Sequence, residues 1–197
     1  MRLYGLTGGI GAGKSEAARR FAEHGIPVLD ADKLGHEVLE AGGAAEAAVR
    51  SAFGPEILSG GAIDREKLGA LVFSDATSRA RLNAIVHPAI HTAVAQRCAA
   101  LAQSGHRAAI VEAALIGEGG KRDPWLDGLI LVLADAAVRI ERLRERRGMP
   151  MEEAARRIAA QTPPEEKQAI TDWVIKNNGG LAELHAQVDA ITAAILA

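Results

Sequence analysis

The chain has 197 residues, 48% of them hydrophobic, enough for one domain with a large core or one domain carrying an elaborate insertion. A net charge of −2 excludes a global basic field that would collect nucleic acid, the single cysteine excludes an internal disulfide or a cysteine-cluster metal site, and no apolar run approaches membrane-spanning length. A soluble cytoplasmic protein is therefore expected, without a signal peptide and without nucleic-acid or membrane partners, and Cys98 within "VAQRCAALA" reads as a buried, inert thiol.

"RLYGL" at the start is an apolar run bounded by glycine and predicts a buried strand. "KSEAARRFAEHG" follows, with Ala17, Ala18 and Phe21 at helical spacing and Gly25 as the stop. "IPVLDAD" predicts a second buried strand ending in Asp30 and Asp32, and "AAIVEAAL" and "GLILVLAD" predict two more. A fifth is expected in "DWVIKNNG", where Trp173 to Ile175 precede an Asn177-Asn178-Gly179 turn. Strands alternating with helices predict an α/β fold, a doubly wound parallel five-stranded sheet with helices on both faces. Residues 33–106 offer helices and no convincing strand, so they read as a helical insertion. After Asp135 comes a charge-rich helical region with arginines from Arg139 to Arg157 among Glu141, Glu145, Glu152 and Glu153.

Between the first strand and the first helix stands Gly8-Gly9-Ile10-Gly11-Ala12-Gly13-Lys14-Ser15, a full match to G-x-x-x-x-G-K-[ST]. Glycines let the chain curl closely around a phosphate, and successive N–H groups then form an anion nest. The N-terminal end of the helix, from Lys14 through Glu16, adds its positive pole. Lys14 brings a full charge to the β- and γ-phosphates and Ser15 a hydroxyl suited to Mg²⁺. The strand–loop–helix setting makes nucleotide binding the expectation, although the motif alone does not separate a kinase from another nucleotide hydrolase or a switch. The N-K-x-D string with which ordinary GTPases read guanine does not occur.

Ligands of a doubly wound sheet gather at the carboxyl ends of its strands, where Asp30 and Asp32 fall. A carboxylate there can take a proton from an incoming hydroxyl or can simply cap a helix, and position alone leaves both readings open. Arg142 and Arg146, four apart, can close over phosphates as a lid, or can belong to a solvated helix held by Glu/Arg pairs. His87 and His91 have metal-ligand spacing, but no third ligand accompanies them and Pro88 suggests a helix start, so a structural or substrate-contact role is expected.

Taken together, "GLTGGIGAGKS", "GIPVLDAD", "FGPEIL", "IDREKLGALVF", "LNAIVHPAI", "RIERLRERRGM", "RRIAAQ" and "DWVIKNNG" resemble the dephospho-coenzyme A kinase family, in the family's order and over nearly the whole chain. The resemblance implies a P-loop kinase that moves the γ-phosphate of ATP to the ribose 3′-hydroxyl of dephospho-CoA with Mg²⁺. It implies Asp32 as the base, with Asp30, His87, Leu115 and Glu118 at the acceptor. Arg142 becomes a catalytic lid residue, and Arg146 joins Gly8, Gly9, Gly11, Ala12, Gly13, Lys14, Ser15 and Glu16 in binding ATP. One domain then divides into a core (1–32, 107–138, 170–197), an acceptor-binding insertion (about 33–106) and a lid (about 139–169). Departures are Ala114 to Glu118 in place of the usual Pro-Leu-Leu-Phe-Glu, and Glu16 where threonine is common. The alternatives are another small-molecule or nucleoside-monophosphate kinase, and a nucleotide-dependent regulatory switch.

Overall fold

The computed structural model describes every residue except Leu115, Glu118 and Gly119. In chain order its elements begin with β1 (Arg2–Gly8), α1 (Lys14–Glu23), β2 (Val28–Asp30), α2 (Ala31–Glu37) and α3 (Glu46–Phe53). A 3-10 turn at Pro55–Ile57 leads to β3 (Leu58–Ser59), β4 (Ala62–Ile63), α4 (Arg65–Ser74) and α5 (Ala76–Gln103). Then follow β5 (Ala108–Glu112), β6 (Gly128–Leu133), α6 (Ala136–Arg147) and α7 (Met151–Ala159). The chain continues through α8 (Pro164–Gln168), β7 (Trp173–Lys176) and α9 (Leu181–Leu196).

Two compact units result, one from Met1–Leu29 with Ala100–Ala197 and one from Asp30–Ala99. The first is built on a five-stranded sheet in the order β2-β5-β1-β6-β7. β1 lies at its centre, parallel to β5 on one side and to β6 on the other. Strands covered on both faces read as continuous apolar runs rather than alternating ones, and β6, with sequence GLILVL, is buried over its first five residues. Phe21 of α1, Leu6 of β1, Ile130 of β6, Ile175 of β7 and Leu184, Val188 and Ile195 of α9 share one core. Each such fully buried side chain contributes roughly 1.5–3 kcal/mol of apolar burial. Helix α1 is further fastened to α9 where Arg20 Nε and Nη2 each donate to the Asp189 carboxylate at 2.7 Å.

The second unit closes around Val38, Val49, Ile57, Leu68 and Val86. It differs from what the sequence leads one to expect in three places. A short antiparallel hairpin, β3–β4, stands where no strand is expected; its two-residue strands are too brief to show a period, and Gly60 and Gly61 make the turn with φ of 58° and 84°. Pro88, expected to open a helix, lies inside the 28-residue α5. Proline there removes one backbone donor. The apolar packing of Leu82, Ile85, Val86, Ala89 and Ile90 on both sides of it keeps the helix continuous. Cys98, expected to be buried, is only half-buried on α5, and the partial burial pushes its thiol up from the ordinary value. Among the described residues no helix is long and apolar enough to cross a membrane.

Candidate active site

The glycine loop leaves β1 at the carboxyl end of the central strand and enters α1 at Lys14. Ala12 N–H donates to Gly9 O at 3.1 Å, which curls the loop, and Glu16 and Ala17 N–H both donate to Gly13 O at 3.2 Å, which starts the helix. Gly13 has φ of 100°, and a Cβ there would stand 2.1 Å from Asn177 Nδ2, so no other residue fits. The amides of Lys14 and Ser15 open α1, where the positive pole of a helix favours an anion. Lys14 Nζ donates to Gly8 O at 2.8 Å and is thereby folded back over the loop.

Three polar groups surround this loop within the same unit. Ser15 Oγ donates to Glu112 Oε1 at 3.3 Å, joining the first turn of α1 to the end of β5. Asn177, buried beyond β7, donates from Nδ2 to Ala12 O at 2.7 Å, and its Oδ1 accepts from Arg142 Nη2 at 3.3 Å. Arg142 Nη1 lies buried with no hydrogen-bond partner among the described residues. Burial pulls this guanidinium below its ordinary pKa, and neighbouring Arg146 adds to the effect. Arg142 as a whole is half-buried, but a guanidinium nitrogen buried without a partner is costly unless an acceptor meets it. Arg146, one turn along α6, is exposed.

Ser15 and Glu112 are hard oxygen donors, the kind Mg²⁺ takes in ones and twos alongside substrate phosphates. Among the described residues no group of three His, Cys, Asp or Glu could hold a metal on its own. The oxygens of Ser15 and Glu112, brought together, fit the donor type a magnesium ion accepts. Glu112 is not among the residues the sequence marks; a carboxylate ending the apolar strand "AAIVE" is the signal that points to it.

The Glu16 carboxylate is engaged by its helix neighbours. It accepts from Arg19 and pairs with His185 Nε2 of α9 at 2.9 Å. Arg19 first, then His185, hold its pKa down from 4.5 to about 2. A lowered carboxylate pKa gives stability that is whole above pH 4.5 and is lost as pH falls toward 2. In thermal unfolding scans from pH 7 to 2, wild type should therefore exceed Glu16→Gln by a constant margin above about pH 5, shrinking to nothing near about pH 2. A margin independent of pH would show that the ion pairs contribute nothing.

The second unit holds the other expected residues. Asp30 ends β2 and caps α2, its Oδ1 accepting from Lys33 N–H at 3.0 Å. Asp32, in the first turn of α2, is exposed, and no described residue hydrogen-bonds its carboxylate. His87 is exposed in the middle of α5, with His91 one turn beyond. Leu115 and Glu118, expected at the acceptor, lie outside the described residues.

Comparison with known proteins adds a family. The model of the dephospho-CoA kinase family matches residues 2–183. A dephospho-CoA kinase of Geobacillus kaustophilus is 43% identical over 188 residues, 95% of this chain and 93% of that protein. A crystal structure from Thermus thermophilus superposes with a TM-score of 0.83 at 35% identity, covering 98% of this chain and 97% of the other. The dephospho-CoA kinase structure of Campylobacter jejuni has a TM-score of 0.63 at 23% identity over 98% and 97% of the two chains, which speaks for the fold alone.

Proposed function

Because the chain belongs to the dephospho-CoA kinase family, which uses ATP to phosphorylate the ribose 3′-hydroxyl of dephospho-CoA in the final step of coenzyme A biosynthesis, we propose how its residues divide that work. The observation that carries the assignment is the loop at the end of β1, with Lys14 over it and, in the same unit, Arg142 Nη1 unpartnered among the described residues. The amides of Lys14 and Ser15 and the Lys14 ammonium hold the triphosphate tail. Arg142 supplies the donor that meets charge on the phosphoryl group in flight. Asn177 fixes the guanidinium by accepting from its other nitrogen, so little reorganisation is needed when the phosphate arrives.

Asp32 takes the proton of the acceptor hydroxyl as the new P–O bond forms and the bond from the γ-phosphorus to the β–γ bridging oxygen breaks, releasing ADP. Asp30 holds the start of α2 and thereby the bearing of Asp32. His87 and the helices of the second unit grip the acceptor, and 139–169 acts as the lid. Ser15 and Glu112 would hold Mg²⁺, which when bound neutralises the β- and γ-phosphate oxygens. Catalysis is then mostly positioning and charge neutralisation. Its dependence on ATP and a small soluble acceptor suits the cytoplasm. The alternatives, a kinase for another acceptor or a regulatory switch, find no support in the comparisons.

The experiment is ADP release measured with dephospho-CoA, nucleoside monophosphates or shikimate as acceptor, each with Mg²⁺ and with a chelator. Dephospho-CoA with Mg²⁺ should give about 1–100 turnovers per second, in the range of kinases, with the other conditions at background. Tight ATP binding without acceptor-stimulated ADP release would point to a switch instead. Equal rates with chelator would remove Mg²⁺ from the assignment.

A further inference from the structure

Residue Ile10, at the tip of the glycine loop, has both of its backbone polar groups taken by side chains from far along the chain. Its N–H donates to Gln161 Oε1 at 3.0 Å, and its carbonyl accepts from Arg139 Nε at 2.7 Å. Arg139 Nη2 closes the ring by donating to the same Gln161 oxygen at 2.6 Å. Arg139 stands on α6 and is only 6% exposed, while Gln161 lies just past the end of α7. A Cβ on Gly9 would come 2.2 Å from Arg139 Nη2 and 2.8 Å from Gln161 Oε1. The bare backbone at Gly9 thus makes room for this clamp.

A buried guanidinium matched by neutral oxygens is costly for simple stability, and among the described residues Arg139 meets only the Ile10 carbonyl and Gln161 Oε1. The Ile10 amide faces Gln161, so the anion nest must come from the amides after it. Its curvature depends on where Gln161 sits, and Gln161 sits at the end of α7. We infer that Arg139 and Gln161 are positioning residues that set the phosphate-binding shape of the glycine loop, so that ATP affinity depends on the placement of α7. The inference rests on the kinase assignment for its meaning in turnover, but its effect on ATP binding is independent of the acceptor.

The test uses the full chain with Gln161→Leu, which keeps the bulk and loses the acceptor oxygen, and Gln161→Glu, which retains an acceptor for both donors. ATP dissociation is measured by calorimetry without acceptor, alongside KM for ATP, KM for dephospho-CoA and Tm. Gln161→Leu should weaken ATP binding and raise its KM about tenfold while the acceptor KM stays within about twofold. Gln161→Glu should stay within about threefold of wild type on every measure. Unchanged ATP affinity in Gln161→Leu overturns the inference. So does a fall in Tm with both substrates weakened alike and no rescue by glutamate, since that marks a merely structural contact. If Gln161→Leu does not fold, Arg139→Lys, which keeps the charge and loses the Nε donor, carries the same ATP-selective expectation. Because calorimetry with ATP alone needs no acceptor, it stands even if dephospho-CoA proves to be the wrong acceptor.

Discussion

Asp32→Asn should lower kcat with dephospho-CoA by about a thousandfold, the middle of the range for loss of a positioned general base. ATP affinity and Tm should stay at wild-type values, because the Asp32 carboxylate makes no hydrogen bond to a described residue and α2 is capped by Asp30 instead. The neighbouring aspartate supplies the control. Asp30→Asn keeps an N-cap and should fold normally, whereas Asp30→Ala should cost about 1 kcal/mol of stability. A kcat within about threefold of wild type in Asp32→Asn would transfer the base to another group.

The second large effect is expected from Lys14→Met, which keeps most of the unbranched apolar stem and removes the charge. Lys14 is the cation on the first turn of α1, bent back to Gly8 O. Loss of a preorganised charge at a developing phosphoryl centre costs about 10²–10³ in kcat, so kcat/KM for ATP should fall by at least that much. The fold should survive, because Lys14 contributes no side chain to the apolar core around Phe21. A variant that binds ATP poorly yet turns over normally at saturation would show that Lys14 acts in binding alone.

Much of this site was legible because its signals are local. Gly13, Lys14 and Ser15 are neighbours in sequence, and one helix terminus explains why they stand together. The five strands were legible for the same reason, as apolar runs broken by glycine and aspartate. What stayed hidden was long-range. Arg139 meets Ile10 across 129 positions, Gln161 across 151, and Asn177 meets Ala12 across 165. An amide side chain announces nothing until the fold supplies its partner. The sequence marked Arg142 by its spacing from Arg146, yet its burial and its contact with Asn177 come from tertiary structure. The long helix α5 was misread at Pro88 because a local rule, the missing donor, lost to packing on either side of it.

The order of the sheet has a consequence during synthesis. β1 is the central strand, and its partners β5 and β6 start at Ala108 and Gly128. At roughly 5–20 residues per second, the apolar first strand waits on the order of 5–20 s for a neighbour to leave the ribosome. Contacts of such long range also slow the search for the native state. The glycine loop, though made early, gains its Asn177 brace only when β7 has emerged, so nucleotide affinity should be among the last properties the nascent chain acquires. A ribosome-bound series of increasing length should capture ATP only once residue 177 is free of the exit tunnel.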